Sequence, residues 1–137
     1  YRLFYASMHP QNDIIQMYDS GELSASIIKV YKLFEKGTVL NLEQMIDYAE
    51  GGVVSKQVIK TDSGNLTLFS FDEGQGLTEH TSPYNAVVQV LDGQAEISIN
   101  RQPHILKAGQ TIIMPANVPH ALHAIKRFKM LLSMVKG

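Results

Sequence analysis

The sequence predicts a small all-β barrel with a partly helical N-terminal extension. Three observations predict it. The chain has 137 residues, the size of one domain with a real core. From Val53 onward, apolar and polar residues alternate with period two, as half-buried strands do. Gly, Pro, Asn and Asp clusters break that alternation at regular intervals. About nine short strands spaced this way favour a sandwich or closed barrel over an open sheet.

Before Gly37 the period is helical. Leu23, Ile27, Val30, Tyr31 and Phe34 recur at three- and four-residue spacing, which places them on one helix face. Ser20 is the expected N-cap, Glu22 suits the first turn, and Lys36-Gly37 is a stop signal. Residues 1–37 are read as the extension and 38–137 as the barrel domain. A second short helix is expected where Asn41 and Gln44 resemble a capping box, ending at Gly51-Gly52.

Val53–Lys60 and Leu66–Phe71 read as strands around a turn at Thr61–Asn65. Asp72–Leu77 reads as a loop. Ala86–Leu91 and Gln94–Asn100 read as a pair joined at Asp92-Gly93, the strongest hairpin signal in the chain. His104–Lys107, Thr111–Met114, His120–Ile125 and Phe128–Val135 complete the set.

Composition narrows the function classes. A net charge of −1 and a pI near 6.6 give no basic footprint for nucleic acid. There are no cysteines, so disulfides, thiolate metal sites and a cysteine nucleophile are excluded, in keeping with a cytoplasmic setting. No apolar run, Met130–Leu132 included, is long enough to span a bilayer. Tyr1–Met8 lacks the apolar length of a signal peptide. No Ser/His/Asp set, phosphate-binding loop or paired zinc signature occurs.

Gly74, His80 and Gly93, then Gly109, Pro115 and His120, carry the most specific signal. With their spacing they resemble the two motifs of the cupin family. The first runs Gly, five residues, His, one residue, His, three or four residues, Glu, six residues, Gly. The second runs Gly, five, Pro, one, Gly, two, His, three, Asn. The resemblance covers roughly residues 38–135 and implies a double-stranded β-helix, or jelly-roll, barrel. Glu79–Tyr84 and Ile112–His120 are typical of the small single-domain bacterial members.

The same motifs imply a metal held by three histidines and a glutamate, and only His80 and His120 of these are present. Ser82 stands at the second histidine. Ala86, or Val87 on the longer spacing, stands at the glutamate. Asn117 replaces a motif glycine, which is mild because Asn tolerates positive φ. Two imidazoles suit Zn, Ni, Fe or Cu, and Mn also belongs to the resemblance, but ligand count favours at most a weak divalent site. Strand alternation turns His123 and Gln89 away from the interior. His104 reads as a rim residue, and Asp72, Glu73 and Glu79 as solvated charges.

Alternation assigns His80, Ser82, Ala86, Val88, Val90, Met114, His120, Leu122 and Ala124 to the interior face. That makes a mostly apolar pocket with two imidazoles and a hydroxyl near its mouth, suited to a small, partly apolar ligand. Three functions follow, in order of preference. The first is a small-molecule-binding barrel without an assigned reaction. The second is a metal-dependent enzyme of dioxygenase or isomerase type. The third is metal-free acid/base catalysis by a histidine, as in sugar-epimerising relatives. A homodimer is expected, both from the resemblance and because the amphipathic 21–36 segment needs a cover.

Overall fold

Two long strands organise the barrel. The computed structural model describes residues 34–136. It contains seven antiparallel strands: β1 (Val53–Thr61), β2 (Gly64–Phe71), β3 (Gly76–His80), β4 (Asn85–Ile99), β5 (Gln102–Lys107), β6 (Thr111–Met114) and β7 (His120–Val135). The order β1-β2-β7-β4-β5 is extended by β3 on β7 and β6 on β4. One edge of β7 pairs with β3 over its first four residues, 120–123, and with β2 over its second half, and the other edge pairs with β4 along nearly its whole length. This is the jelly-roll barrel the motifs imply. The expected helix over 21–36 falls, but for residues 34–36, outside the described residues.

The expected hairpin at Asp92-Gly93 is not formed. β4 runs straight through these residues, and the register against β7 shifts between Val90 and Asp92 and again between Gly93 and Ala95. Glycine does adopt a positive φ there, of 80°, but it serves a β-bulge rather than a turn. A Cβ on Gly93 would collide with the Arg127 carbonyl oxygen. His120–Ile125 and Phe128–Val135 likewise form one strand, so the described residues hold seven strands rather than about nine. The chain reverses instead at Asn100 (φ 50°) and Arg101 (φ 65°), a two-residue turn closing Ile99 against Gln102.

The second expected helix is also corrected. Only a single 3-10 turn forms, Leu42–Gln44, and the Asn41 side chain makes no cap. Tertiary contacts outcompete the helix. The carbonyls of Glu43, Met45 and Asp47 accept from Lys129 Nζ, Lys56 Nζ and Ser70 Oγ, so no helical donor is needed. This segment covers the outer face of β2, where Leu68 and Ser70 are fully buried, and brings Ile46 down to 1% exposure.

The barrel interior is packed by Phe69, Phe71, Val88, Val90, Ala95, Ile97, Phe128 and Met130 among others. Phe71 and Phe128 stack with centroids 4.5 Å apart. Truncating either ring would cost about 3–5 kcal/mol. Val88, Ile97 and Leu122 are buried, and Ile99 packs partly buried against them.

Candidate functional site

His80 ends β3 and His120 opens β7, and the two residues are paired in register. Neighbouring strands therefore bring two motif positions, 40 residues apart in sequence, to one end of the barrel. Their Nε2 atoms lie 3.1 Å apart, with ring centroids at 4.4 Å and planes at 70°. His120 is 4% exposed, whereas His80 faces solvent.

Each ring is oriented from behind. The Nδ1 of His80 lies 2.6 Å from the Thr78 carbonyl oxygen, and that of His120 lies 3.2 Å from the Val118 oxygen. A carbonyl can only accept, so each Nδ1 must carry a hydrogen. Two neutral imidazoles hold one N–H each, and both are now used. The Nε2 atoms then face each other as two lone pairs. Three contacts require three protons, and the neutral pair has two. Burial first, and the neighbouring His80 second, hold the pKa of His120 below its ordinary value. The Nε2 of His120 is therefore an acceptor, and with both N–H groups committed its donor has to come from outside the neutral pair.

Behind the pair lies a cavity of about 240 Å³, lined by Leu77, His80, Ser82, Ala86, Met114, His120, Leu122, Met130, Leu132 and Met134. Ser82 Oγ accepts from the Tyr84 N–H at 3.1 Å, which leaves its own hydrogen free. The Asn117 N–H donates to the Ser82 carbonyl at 2.7 Å, tying the 81–84 loop to the 115–119 loop. Asn117 has φ 65°, so it does adopt the conformation of the glycine it replaces.

Of the residues assigned to the pocket by alternation, Ser82, Ala86, Met114 and Leu122 line it with both histidines. Val88 does not. It is fully buried deeper in the barrel, as are Val90 and Ala124, where side chains close the space. Leu77, Met130, Leu132 and Met134 complete the lining and lie outside that assignment. Leu77 was hidden by reading residues 72–77 as a loop. The other three share the alternation that starts at His120, a signal present in the sequence.

The metal that the motifs imply would meet an incomplete donor set here. Backbone carbonyls on Nδ1 and convergent Nε2 lone pairs are the arrangement of ligating histidines. The remaining lining is aliphatic, thioether or a single hydroxyl. Ala86 pairs with Met114 and takes the inward position, so neither spacing supplies a carboxylate. His123 is exposed and pairs outward with Gly76 and Glu96. Among the described residues no three His, Cys, Asp or Glu side chains cluster. The residues present do not fit a firmly held divalent ion.

The other candidates are solvated or structural. His104 is exposed, with Nδ1 3.2 Å from the Ile97 oxygen. Glu79 pairs with Arg101 at the surface. Asp72 accepts from the Gly51 N–H at 2.7 Å, and that bond, followed by the one to the Glu73 N–H, lowers its pKa. Asp92 accepts from Tyr48 Oη at 2.5 Å, while the Arg127 guanidinium sits 3.9 Å from the Tyr48 ring centroid. Burial and Asp92 raise the Tyr48 pKa. The described residues contain no helix long and apolar enough to cross a membrane.

Residues 67–135 match the Cupin domain family model. A conserved protein of unknown function from Streptococcus pyogenes has a solved structure that is 40% identical. The match covers 75% of this chain and 90% of that one, with a TM-score of 0.71. A cupin 2 conserved barrel domain protein from Leptotrichia buccalis is 39% identical over 71% of this chain and 47% of its own, with a TM-score of 0.69. A cupin superfamily protein from Desulfitobacterium hafniense is 27% identical over 77% of this chain and 97% of its own, with a TM-score of 0.72. No curated protein matches the chain significantly.

Proposed function

The chain belongs to the cupin family, and we propose that this member binds a small, partly apolar molecule in the cavity behind His80 and His120. The observation that carries the proposal is the division of the lining. Apolar side chains make the walls, and the polar atoms gather at the histidine end. Such a site holds a ligand by apolar burial and orients it with a few polar contacts. Metal enters this reading only as a weakly held divalent ion on His80 and His120.

Ligand-observed NMR with a set of small monofunctional organic molecules tests the proposal. Binding that disappears when Met130→Trp or Met134→Trp fills the cavity supports it. Binding that survives both substitutions counts against it.

Metal-free acid/base chemistry is a second reading. The three-contact, two-proton count at the pair favours it, because an Nε2 lone pair without a donor inside the pair suits accepting a hydrogen from a bound molecule. Turnover that is retained after chelation and lost in His80→Ala would move the assignment there.

The proposal includes a homodimer in the cytoplasm. Ile113 and Val135 leave apolar side chains 61% and 51% exposed, which supports a covered face. The cysteine-free composition suits a reducing compartment. Light scattering should report twice 15.3 kDa, and a monomer at micromolar concentration would count against the dimer.

A further inference from the structure

Size, wall chemistry and the proton count at the histidine pair together narrow the ligand class. An aliphatic and aromatic cavity of roughly 150 Å³ accepts benzene. Pockets for drug-sized ligands begin at roughly 300 Å³. At about 240 Å³, this cavity fits one ring with one or two short substituents. Met114, Met130 and Met134 all line it, and thioether sulfurs make favourable contacts with aromatic ring edges. At the polar end the pair lacks one donor, because both N–H groups are committed to the Thr78 and Val118 carbonyls. A head group with acceptors only would leave that want unmet. A hydroxyl supplies the donor, and its oxygen can accept from the free Ser82 O–H.

We propose that the ligand is a single-ring phenol, its ring among the three methionines and its hydroxyl donating to Nε2 of the His80–His120 pair; this inference rests on the cavity being the ligand site. The aromatic ring matches the walls in shape and polarisability. The hydroxyl offers the two convergent Nε2 lone pairs a shared donor, which two neutral imidazoles cannot supply to each other.

Calorimetric titration of the full chain with three probes tests it. p-Cresol has both features. p-Xylene has the same size and lacks the donor. 4-Methylcyclohexanol keeps the donor and lacks the aromatic ring. p-Cresol is expected to bind about tenfold more tightly than either, the factor expected of one satisfied hydrogen bond or one set of ring contacts. In His80→Ala, which removes one Nε2 from the pair, the ratio of p-cresol to p-xylene affinity should fall from about tenfold toward one. Equal wild-type affinity for p-cresol and p-xylene overturns the hydroxyl assignment and leaves the cavity a ligand site. Equal affinity for p-cresol and 4-methylcyclohexanol overturns the aromatic assignment alone. No binding of any probe at its solubility limit overturns the inference together with the cavity reading.

Discussion

His80 and His120 are mirror images in their bonding. Each holds its Nδ1 against the carbonyl two residues before it, and the two rings meet through Nε2 at 3.1 Å. Their surroundings differ, since one ring is buried and the other faces solvent. That difference makes the pair directional and gives the pH prediction its sign.

Burial depresses the pKa of His120 in the folded chain, while the unfolded chain keeps a value of about 6.5. Below about 6.5 the unfolded state therefore binds more protons, and stability is lost as pH falls. The contribution is fully present above about 6.5 and declines toward the lower folded value. Denaturant titrations at several pH values should show this slope, and His120→Gln should flatten it. An unchanged slope in the variant would count against His120 as the buried neutral ring.

Metal affinity should depend on what positions 82 and 86 lack. Ser82→His with Ala86→Glu restores an imidazole and a carboxylate, and should tighten Zn²⁺ or Ni²⁺ binding by about tenfold or more. His120→Ala should weaken whatever binding the wild type has. Calorimetry reads both. Wild-type protein that keeps stoichiometric metal through extended chelator dialysis would sink the weak-site reading.

Gly93→Ala should destabilise by about 3 kcal/mol. The position combines a φ of 80° with a backbone collision against Arg127. The midpoint of urea unfolding should fall with little change in slope. A loss under about 0.5 kcal/mol, the range of ordinary surface substitutions, would show that the bulge relaxes at little cost.

Tyr48→Phe removes the donor to Asp92 and should cost about 1–2 kcal/mol, the value of a part-buried hydrogen bond to a charged acceptor. Asp92→Asn keeps an acceptor and should cost less. The reverse ranking would show that the Tyr48 contribution lies in its ring contacts with Arg127 and Lys129.

Much of the barrel was legible because alternation reports burial directly. Val88, Val90 and Leu122 read as inward and are buried. The misreadings share one cause. Inward residues on β4 are even at Ala86, Val88 and Val90, and odd at Ala95 and Ile97. A change of phase beside Asp92-Gly93 looks like two strands and a hairpin, although one bulged strand gives the same pattern. Only the β7 partner decides between them, and pairing is not a local property. Leu42–Gln44 failed for a similar reason, since Lys56, Ser70 and Lys129 are too distant in sequence to be read as competitors for that helix. At the site, motif spacing found both histidines and the inward lining at 82, 86, 114 and 122. It missed the methionines of β7, which lie beyond the second motif.

The bulge at Gly93 also sets where this chain tolerates changes in length. On β7 the inward residues stay even from His120 through Met130, so the phase change on β4 is absorbed at the bulge. Straightening β4 at its present length would carry the even phase of Ala86, Val88 and Val90 onward and turn Ala95 and Ile97 out of the core. The 81–84 and 115–119 loops carry no such parity, and relatives of this protein are expected to vary in length at those loops and not between Val90 and Ala95.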